Sequence, residues 1–455
     1  MSGGIAGRVD EALDRAHREQ WALVLASTVR LVGDLDVAEE CVQDAFLSAL
    51  RVWGERGIPD NPGAWLNTTA RRRAIDLIRR EQTLRSKLPL LVEPAPAHDD
   101  PAGTEEDAVI PDDRLRLVFT CAHPALSPQA REALTLRLVC GLSTAEVGRA
   151  FLVSEATAAA RITRAKKKIA AARIPYRTPP PHEFPERLDT VLTVVHLLFT
   201  AGHTTGEGDD LTSPDLLRRS LDLARLLHAL MPDEREVRGL LALLLLTDAR
   251  RPARTAPDGT LVLLEDQDRS RWDTSSIEEG RTLVAQALRG AARLGRPGRF
   301  TLQAAIAAVH AEAPSYAATD WHQILALYDV LLVAWPSPVV ALNRAVALAM
   351  TDGPEAALAA VRLLEGDPRL RGYPYLPATR ADLLRRLGRR TQARAAYLEA
   401  AGLTGNATER AFLHRRIAEL DTPPPSLLRD RGIPVAPDAD PSITQKGGGG
   451  PWTPR

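Results

Sequence analysis

The stretch LSPQAREALTLRLVCGLSTAEVGRAFLVSEATAAARITRAKKKIAAAR, residues 126–173, decides the fold of its part of the chain. Ser127 precedes a proline, which predicts a helix start because serine caps the first turn and proline suits its first position. Ser143 and Glu146 have the spacing of a capping box, and Ser154 predicts a third helix start after a short turn. Helix, tight turn and basic helix make the helix-turn-helix pattern, whose second helix enters the DNA major groove.

The third helix separates basic from apolar side chains. Arg161, Arg164 and Lys168 share one face, whereas Ile162 and Ile169 lie on the opposite one. The start of such a helix usually reaches base edges. The candidate duplex contacts are therefore Ser154, Glu155, Thr157, Ala158, Arg161, Arg164 and Lys168. A solvated basic helix on a helical bundle is the alternative interpretation.

Composition sets the broad class of the protein. The 455 residues predict about three domains, and Lys+Arg equal Asp+Glu at 58 each, so net charge excludes no partner. Three cysteines without a CxxC pair argue against a disulfide framework, and Cys121 near His123 favours a buried thiol over a metal ligand. No signal peptide or membrane span is visible, so the pattern predicts a soluble, cytoplasmic, all-α protein without cofactor, metal or catalytic site.

Residues 9–87 predict a first helical domain. Its second helix is expected to bury Cys41, Ala45 and Leu47 on one side and to carry an acidic face on the other. That face comprises Asp36, Glu39, Glu40, Gln43 and Asp44. A protein-docking face and a plain solvated face are both open interpretations.

A Pro/Gly-rich loop around residues 57–63 leads into an arginine-rich helix that ends near Lys87. Ala70, Ala74 and Leu77 predict its buried stripe. Such a density of arginine on one helix indicates phosphate binding. The arginines concerned include Arg71, Arg72, Arg79 and Arg80.

The rest of the chain divides by composition. Residues 88–111 are acidic and proline-rich, which predicts a flexible linker to a second module over 112–175. Residues 183–420 predict a long helical extension, and residues 421–455 a disordered tail. Within the extension, the polar cluster 265–273 favours a salt-bridge network over a functional interface, and residues 257–259 predict a turn of a short hairpin.

Two helical pairs near the end of the extension suggest a repeat. Gly353 and Gly388 separate the helices of each pair and lie 35 residues apart, close to the tetratricopeptide period of about 34. Small residues at Ala345, Ala357, Ala381 and Ala393 suit close helix packing. The expected fold is therefore two small helical modules, the second a helix-turn-helix, joined by the linker and followed by a helical-repeat domain.

Two basic modules in this order resemble the extracytoplasmic-function (ECF) group of bacterial RNA polymerase sigma factors. The segment AEECVQDAFLSAL, residues 38–50, resembles the part of region 2 that docks on the polymerase clamp. NPGAWLNTTARRRAIDLIRRE, residues 61–81, resembles the part that opens and reads the −10 element, and residues 126–169 resemble region 4, which reads the −35 element.

That resemblance implies roles for particular residues. The acidic face would bind core RNA polymerase, and the −10 contacts of promoter DNA would be Asp60, Asn61, Asn67, Arg71, Arg72, Arg79 and Arg80. The extension resembles the tetratricopeptide-like extension of an ECF subgroup, where it regulates activity within the same polypeptide. In this chain it would act through contact with the sigma modules, the polymerase or another partner. The alternative function is a stand-alone helix-turn-helix regulator with a helical-repeat sensor domain.

Overall fold

The computed structural model describes residues 2–87, 113–151, 153–204, 207–208, 211–289 and 295–421. These residues are almost entirely helical, which confirms the all-α expectation. Strand β1, Glu207–Gly208, and strand β2, Gly405–Asn406, form one short parallel pair. The predicted linker 88–111, and the predicted tail after its first residue, lie outside the described residues.

The first three helices pack against one another around an alanine-rich interior. They are α1 (Ser2–Val32), α2 (Leu35–Arg56) and α3 (Pro62–Lys87). The Asp34 carboxylate caps α2 by accepting from the backbone N–H groups of residues 36 and 37, at 2.7 and 3.0 Å. Ala45 and Ala49 are fully buried, but Leu47 is 65% exposed. Its predicted inward orientation is wrong because two residues along a helix turn a side chain about 200° away.

Residues 113–171 form five further helical segments. They are α4 (Asp113–Cys121), α5 (Pro128–Leu134), a π-helical turn (Thr135–Val139), α6 (Thr144–Ala150) and α7 (Glu155–Ala171). The predicted caps are confirmed. Ser143 N–H donates to Glu146 Oε2 at 2.7 Å while Glu146 N–H donates to Ser143 Oγ at 3.2 Å. Ser127 and Ser154 accept from backbone N–H groups of the helices that they start.

The extension begins with four longer helices. They are α8 (Phe184–His203), α9 (Pro214–Leu230), α10 (Arg235–Asp248) and α11 (Thr274–Arg289). Helix α10 is buried around most of its circumference, because its neighbours α8, α9, α11 and the following helix surround it. A helix that is apolar on all sides is typical of a domain centre.

The second part of the extension is built from helix pairs. Its helices are α12 (Arg299–Glu312), α13 (Trp321–Ala334), α14 (Pro338–Thr351), α15 (Pro354–Arg362), α16 (Tyr375–Arg386), α17 (Arg390–Leu403) and α18 (Ala407–Asp421). Gly353 and Gly388 have positive φ angles of 93° and 71° in the predicted turns. The four predicted contact alanines are buried, so the paired-helix expectation is confirmed.

The segment between α10 and α11 differs from expectation. The predicted turn is present, with Gly259 at φ 82°, but the hairpin is a single antiparallel bridge between Thr255 and Leu261. The expected salt-bridge network at 265–273 is wrong. Asp268 and Asp273 instead accept from backbone N–H groups at helix starts, and Arg269 donates to two backbone carbonyls.

The hydrophobic core is continuous across much of the chain. One buried cluster runs from Val9 in α1 through α7 to Ala308 in α12. Two smaller clusters lie among the three helices α12–α14 and among the five helices α14–α18. Among the described residues, no helix has the length and apolarity needed to cross a membrane.

Candidate promoter and polymerase interfaces

Helix α3 presents its arginines to solvent because its alanines face the core. Ala70 and Ala74 are fully buried, whereas Leu77, expected in the same stripe, is 36% exposed. Exposed side chains on this helix include Arg71, Arg72, Arg79 and Arg80. The helix thus carries a dense positive surface suited to a phosphate backbone.

The loop before α3 holds the polar residues predicted to contact DNA. Asp60 and Asn61 are exposed, and the Asn61 side chain caps α3 by accepting from Ala64 N–H at 2.9 Å. Asn67 is half-buried because its Oδ1 accepts from the Ser27 hydroxyl at 2.7 Å. Between this loop and α1 lies a polar cavity of about 560 Å³, with Arg15 among its lining residues.

Helix α7 presents most of its predicted contacts. Ser154, Glu155, Thr157, Arg164 and Lys168 are exposed. Arg161 is half-buried and lies near Glu132. Burial raises the pKa of the Glu132 carboxyl, and the charge of Arg161 opposes that rise only in part.

Ala158 differs from its prediction. It is fully buried with Ile162, Ala165 and Ile169 on the core face of α7. Residues four apart share a helix face, so a position in step with Ile162 packs inward and does not point to a base edge.

The acidic face of α2 is not uniformly exposed. Glu40 and Gln43 are exposed and Asp44 is half-buried, with Arg73 Nε 3.6 Å from its carboxylate. Glu39 is only 6% exposed, so the prediction that it lies on the outer surface of α2 is wrong. Asp36 remains exposed, with its side chain 71% accessible.

Two basic residues from the second module explain the burial of Glu39. Lys166 Nζ of α7 lies 2.6 Å from Glu39 Oε2 and 2.6 Å from Asp36 Oδ1. Arg137 of the π-helical turn forms a second ion pair with Glu39. Burial lowers the pKa of Lys166, but Glu39 and Asp36 outweigh it and raise the pKa above its usual value. We call Asp36, Glu39, Arg137 and Lys166 the Glu39 cluster.

Further contacts surround this cluster. Trp21 Nε1 of α1 donates to Leu138 O at 3.1 Å, and the Arg137 guanidinium lies 5.8 Å from the Trp21 ring centre. The Tyr176 hydroxyl donates toward Ala26 O or Asp113 O, at 3.0 and 3.1 Å. The first and second modules are therefore packed together, with polar and apolar contacts on both sides of the Glu39 cluster.

Two arginines of the extension reach the second module. Arg187 Nη2 of α8 donates to Phe119 O at 2.7 Å, and Arg219 Nη1 of α9 donates to Cys140 O at 2.6 Å. Phe119 and Phe184 pack with ring centres 5.6 Å apart. These bonds satisfy carbonyl groups at the ends of helical segments, where no intrahelical donor is left.

Sequence reasoning did not single out Arg137 and Lys166 as ion-pair partners. Lys166 stands beside the basic stripe of α7, and its charge gave no sign that it faces α2 rather than solvent. Cys121 and His123 were the residues weighed as metal ligands. Cys121 is buried, which raises the pKa of its thiol, and His123 Nδ1 accepts a hydrogen bond from Ala125 N–H at 3.1 Å.

Comparison with protein families assigns both modules. Residues 19–83 match Sigma-70 region 2, and residues 116–169 match Sigma-70, region 4. Residues 187–288, which span α8–α11, match a family of unknown function, DUF6596. The two basic helices, α3 and α7, thus lie mostly within the matched segments.

Individual proteins resemble different lengths of the chain. "Uncharacterized protein R00370" of Rhizobium meliloti is 42% identical over 93% of this chain and 98% of its own length. "Probable ECF RNA polymerase sigma factor SigI" of Mycobacterium tuberculosis is 30% identical over 35% of this chain and 54% of its own length.

"ECF RNA polymerase sigma factor SigK" of Mycobacterium sp. is 30% identical over 35% of this chain and 81% of its own length. The two matched regions, the helix-turn-helix geometry and this coverage agree. The chain therefore belongs to the ECF RNA polymerase sigma factors, which act in transcription initiation.

Proposed function

We propose that the chain directs core RNA polymerase to promoters through three surfaces on two modules, residues 9–87 and 112–175. Helix α2 docks on the polymerase clamp, the loop and helix α3 contact the −10 element, and α7 contacts the −35 element. The observation that carries the proposal is the presence of two separate exposed basic helices, one in each matched sigma region. Residues 183–420 form the regulatory extension.

The −35 contact follows from the exposed side of α7. Thr157 lies near the helix start and Arg164 two turns further on, so the exposed face runs along one groove. Arg161 and Arg164 can each pair a guanine through two hydrogen bonds. Glu155 and Lys168 flank this face.

The −10 contact follows from the geometry before and along α3. The cavity beside Asp60 and Asn61 is large enough to receive a base taken out of the stack, which costs a few kcal/mol. Phosphate contacts from Arg71, Arg72, Arg79 and Arg80 offset that cost. Asn67 supports the loop side of α3 through its hydrogen bond to Ser27.

The Glu39 cluster bears on polymerase docking. Asp36 and Glu39 belong to the proposed docking face, yet region 4 side chains occupy their carboxylates. Core polymerase can meet the whole face only after α7 and the π-helical turn move away. We infer that the described arrangement is a closed form and that docking follows its opening.

The extension stabilises this closed form through region 4. Arg219 of α9 donates a hydrogen bond to the turn before α6, and Arg187 of α8 donates one to the end of α4. Substituting Arg219 by Met removes the bond to Cys140 O while keeping a long apolar side chain. The expected result is tighter core binding, because the closed form loses a restraint.

The test is run-off transcription by the full-length chain with core polymerase on a library of promoter fragments. A promoter-dependent transcript is expected, and its loss is expected for Glu40→Lys, which reverses an exposed charge on the docking face. Glu55→Lys is the matched control, since Glu55 is exposed at the other end of the same helix, about three turns beyond Asp44. Absence of any promoter-dependent transcript, from the wild type and from Arg219→Met alike, would overturn the proposal.

A further inference from the structure

A cavity of about 510 Å³ lies in the second half of the extension. Residues of helices α12, α13, α14, α16, α17 and α18 line it. The volume lies within the range of about 300–1,000 Å³ that is typical of small-molecule sites. None of the promoter and polymerase residues named above lines it, so the transcription function does not explain it.

The wall of this cavity is rich in tyrosine. Four of the six tyrosines of the whole chain line it, namely Tyr316, Tyr328, Tyr375 and Tyr397. The Trp321 ring extends the aromatic surface, because the rings of His310 and Tyr316 each meet it edge-on with ring centres 5.2 Å apart. Such a surface binds a flat aromatic group through its faces and edges.

The Tyr328 hydroxyl is a hydrogen-bond donor that the rest of the protein leaves free. Tyr328 is half-buried on α13 and lines the cavity, and no residue in the described part of the chain forms a hydrogen bond with its hydroxyl. Burial raises the pKa of Tyr328 to about 12, so the hydroxyl keeps its proton at neutral pH. Tyrosine hydroxyls away from bulk water usually have a partner, so this one is suited to an acceptor on a bound molecule.

The charged groups that line the cavity balance one another. They are three carboxylates and three guanidinium groups, namely Glu265, Asp382, Glu409, Arg385, Arg386 and Arg416. Glu265 and Arg386 are exposed and opposite in charge, and Arg416 pairs with Glu419 at 2.9 Å. Burial is the main cause that lowers the pKa of His310 to about 4, so its imidazole adds no charge at neutral pH. The wall therefore has no net charge that would select an anion or a cation.

The other two carboxylates of the wall already have partners. Asp382 Oδ1 lies 2.6 Å from Arg385 Nη2. Glu409 accepts from the hydroxyls of Tyr375 and Thr404 at 2.7 and 2.8 Å. A charged ligand would leave water without gaining an unpaired counter-charge, which is costly, whereas a neutral ligand avoids that cost. The cavity is therefore suited to an uncharged molecule.

We propose that this cavity binds a small neutral aromatic molecule that carries a carbonyl group. Its rings pack against Tyr316 and Trp321, and its carbonyl oxygen accepts a hydrogen bond from the Tyr328 hydroxyl. Val346 of α14 also lines the cavity and is 39% exposed, so a larger side chain there would occupy the space of the ligand. Binding requires neither polymerase nor DNA, so failure of this proposal would leave promoter recognition untouched.

The experiment measures the binding of three fluorescent probes to the full-length chain. The probe 6-propionyl-2-(dimethylamino)naphthalene is neutral and has a ketone, and N-phenyl-1-naphthylamine is neutral without one. The third, 1-anilinonaphthalene-8-sulfonate, adds an anionic group to the ring body of the second. Val346→Trp fills the cavity, and Tyr328→Phe removes only the hydroxyl. Val330→Trp is the matched control, because Val330 is 43% exposed on α13 and does not line the cavity.

Both neutral probes should bind the wild type more tightly than the anionic probe does. Val346→Trp should raise the dissociation constants of both neutral probes about tenfold or more, whereas Val330→Trp should match the wild type. Tyr328→Phe should weaken binding of the ketone probe about two- to tenfold, as expected for one lost hydrogen bond. The same variant should change binding of N-phenyl-1-naphthylamine less than twofold.

Three results would each overturn the proposal. They are equal probe binding by the two tryptophan variants, tightest binding of the anionic probe, and a loss of ketone-probe affinity in Tyr328→Phe no larger than that of N-phenyl-1-naphthylamine. If circular dichroism shows that Val346→Trp has lost its helices, Asn343→Trp decides by the same criteria, because Asn343 is an exposed wall residue on the same helix.

Discussion

Substitution of Lys166 by Met tests whether the Glu39 cluster limits polymerase docking. The change removes the ammonium that lies 2.6 Å from both Glu39 and Asp36 but keeps an unbranched side chain of similar length. Glu39 would then keep Arg137 alone among the cationic partners described. Lys166 also lies beside the basic stripe of α7, which we propose contacts DNA, so the measurement is made without DNA.

The size of the effect follows from burial. The side chains of Lys166 and Glu39 are only 10% and 8% exposed, so their charge-assisted bond is worth about 2 kcal/mol to the closed form. Asp36 is 71% exposed, and its pair with Lys166 adds well under 1 kcal/mol. A loss of about 2 kcal/mol shifts the equilibrium between closed and open forms roughly 30-fold toward the open form.

The assay is equilibrium binding of fluorescently labelled full-length chain to core RNA polymerase. We expect Lys166→Met to bind more tightly, by up to about 30-fold if the closed form predominates in the wild type. Lys167→Met is the matched control, because Lys167 is the exposed neighbour on the same helix and should leave the affinity unchanged. Equal or weaker binding by Lys166→Met would refute the idea that the Glu39 cluster restrains docking.

Three further predictions concern DNA contacts and packing. Arg164→Ala should weaken −35 binding by about 1–3 kcal/mol and relax preference at one base pair, as measured by competition among single-base variants; equal weakening of all variants would instead indicate a phosphate contact. The slope of log K for promoter binding against log salt concentration should fall in magnitude by about 1.4–1.8 when Arg79→Gln and Arg80→Gln are combined, since each phosphate contact contributes about 0.7–0.9. An unchanged slope would contradict a phosphate-binding role. Gly141→Ala should lower the melting temperature more than Gly259→Ala does. Both glycines have positive φ angles, 72° and 82°, so alanine is strained at either position. Only at Gly141 would the new Cβ also lie 3.0–3.1 Å from side-chain atoms of His17 and Trp21. Equal decreases in melting temperature would show that this contact relaxes freely.

Local chemistry determined much of the fold and of the candidate surfaces. The caps at Ser127, Ser143 and Ser154 act within one helical turn, so their residue spacing is enough to predict them. The basic face of α7 and the arginines of α3 follow from helical periodicity in the same way. The same periodicity turns Leu47 away from the buried Ala45 and puts Ala158 in step with the buried Ile162, so both orientations could be predicted from residue spacing.

Tertiary structure alone decided which modules meet and what they bury. The pairing of Glu39 with Arg137 and Lys166 joins residues about 100 or more positions apart, and residue spacing does not encode such a contact. The same holds for Arg187 and Arg219, which donate to the carbonyl groups of Phe119 and Cys140, 68 and 79 positions away along the chain. Sequence by itself therefore determined two basic helices of an initiation factor. Their closed arrangement follows from long-range packing, because burial sets how strongly each charge needs a partner.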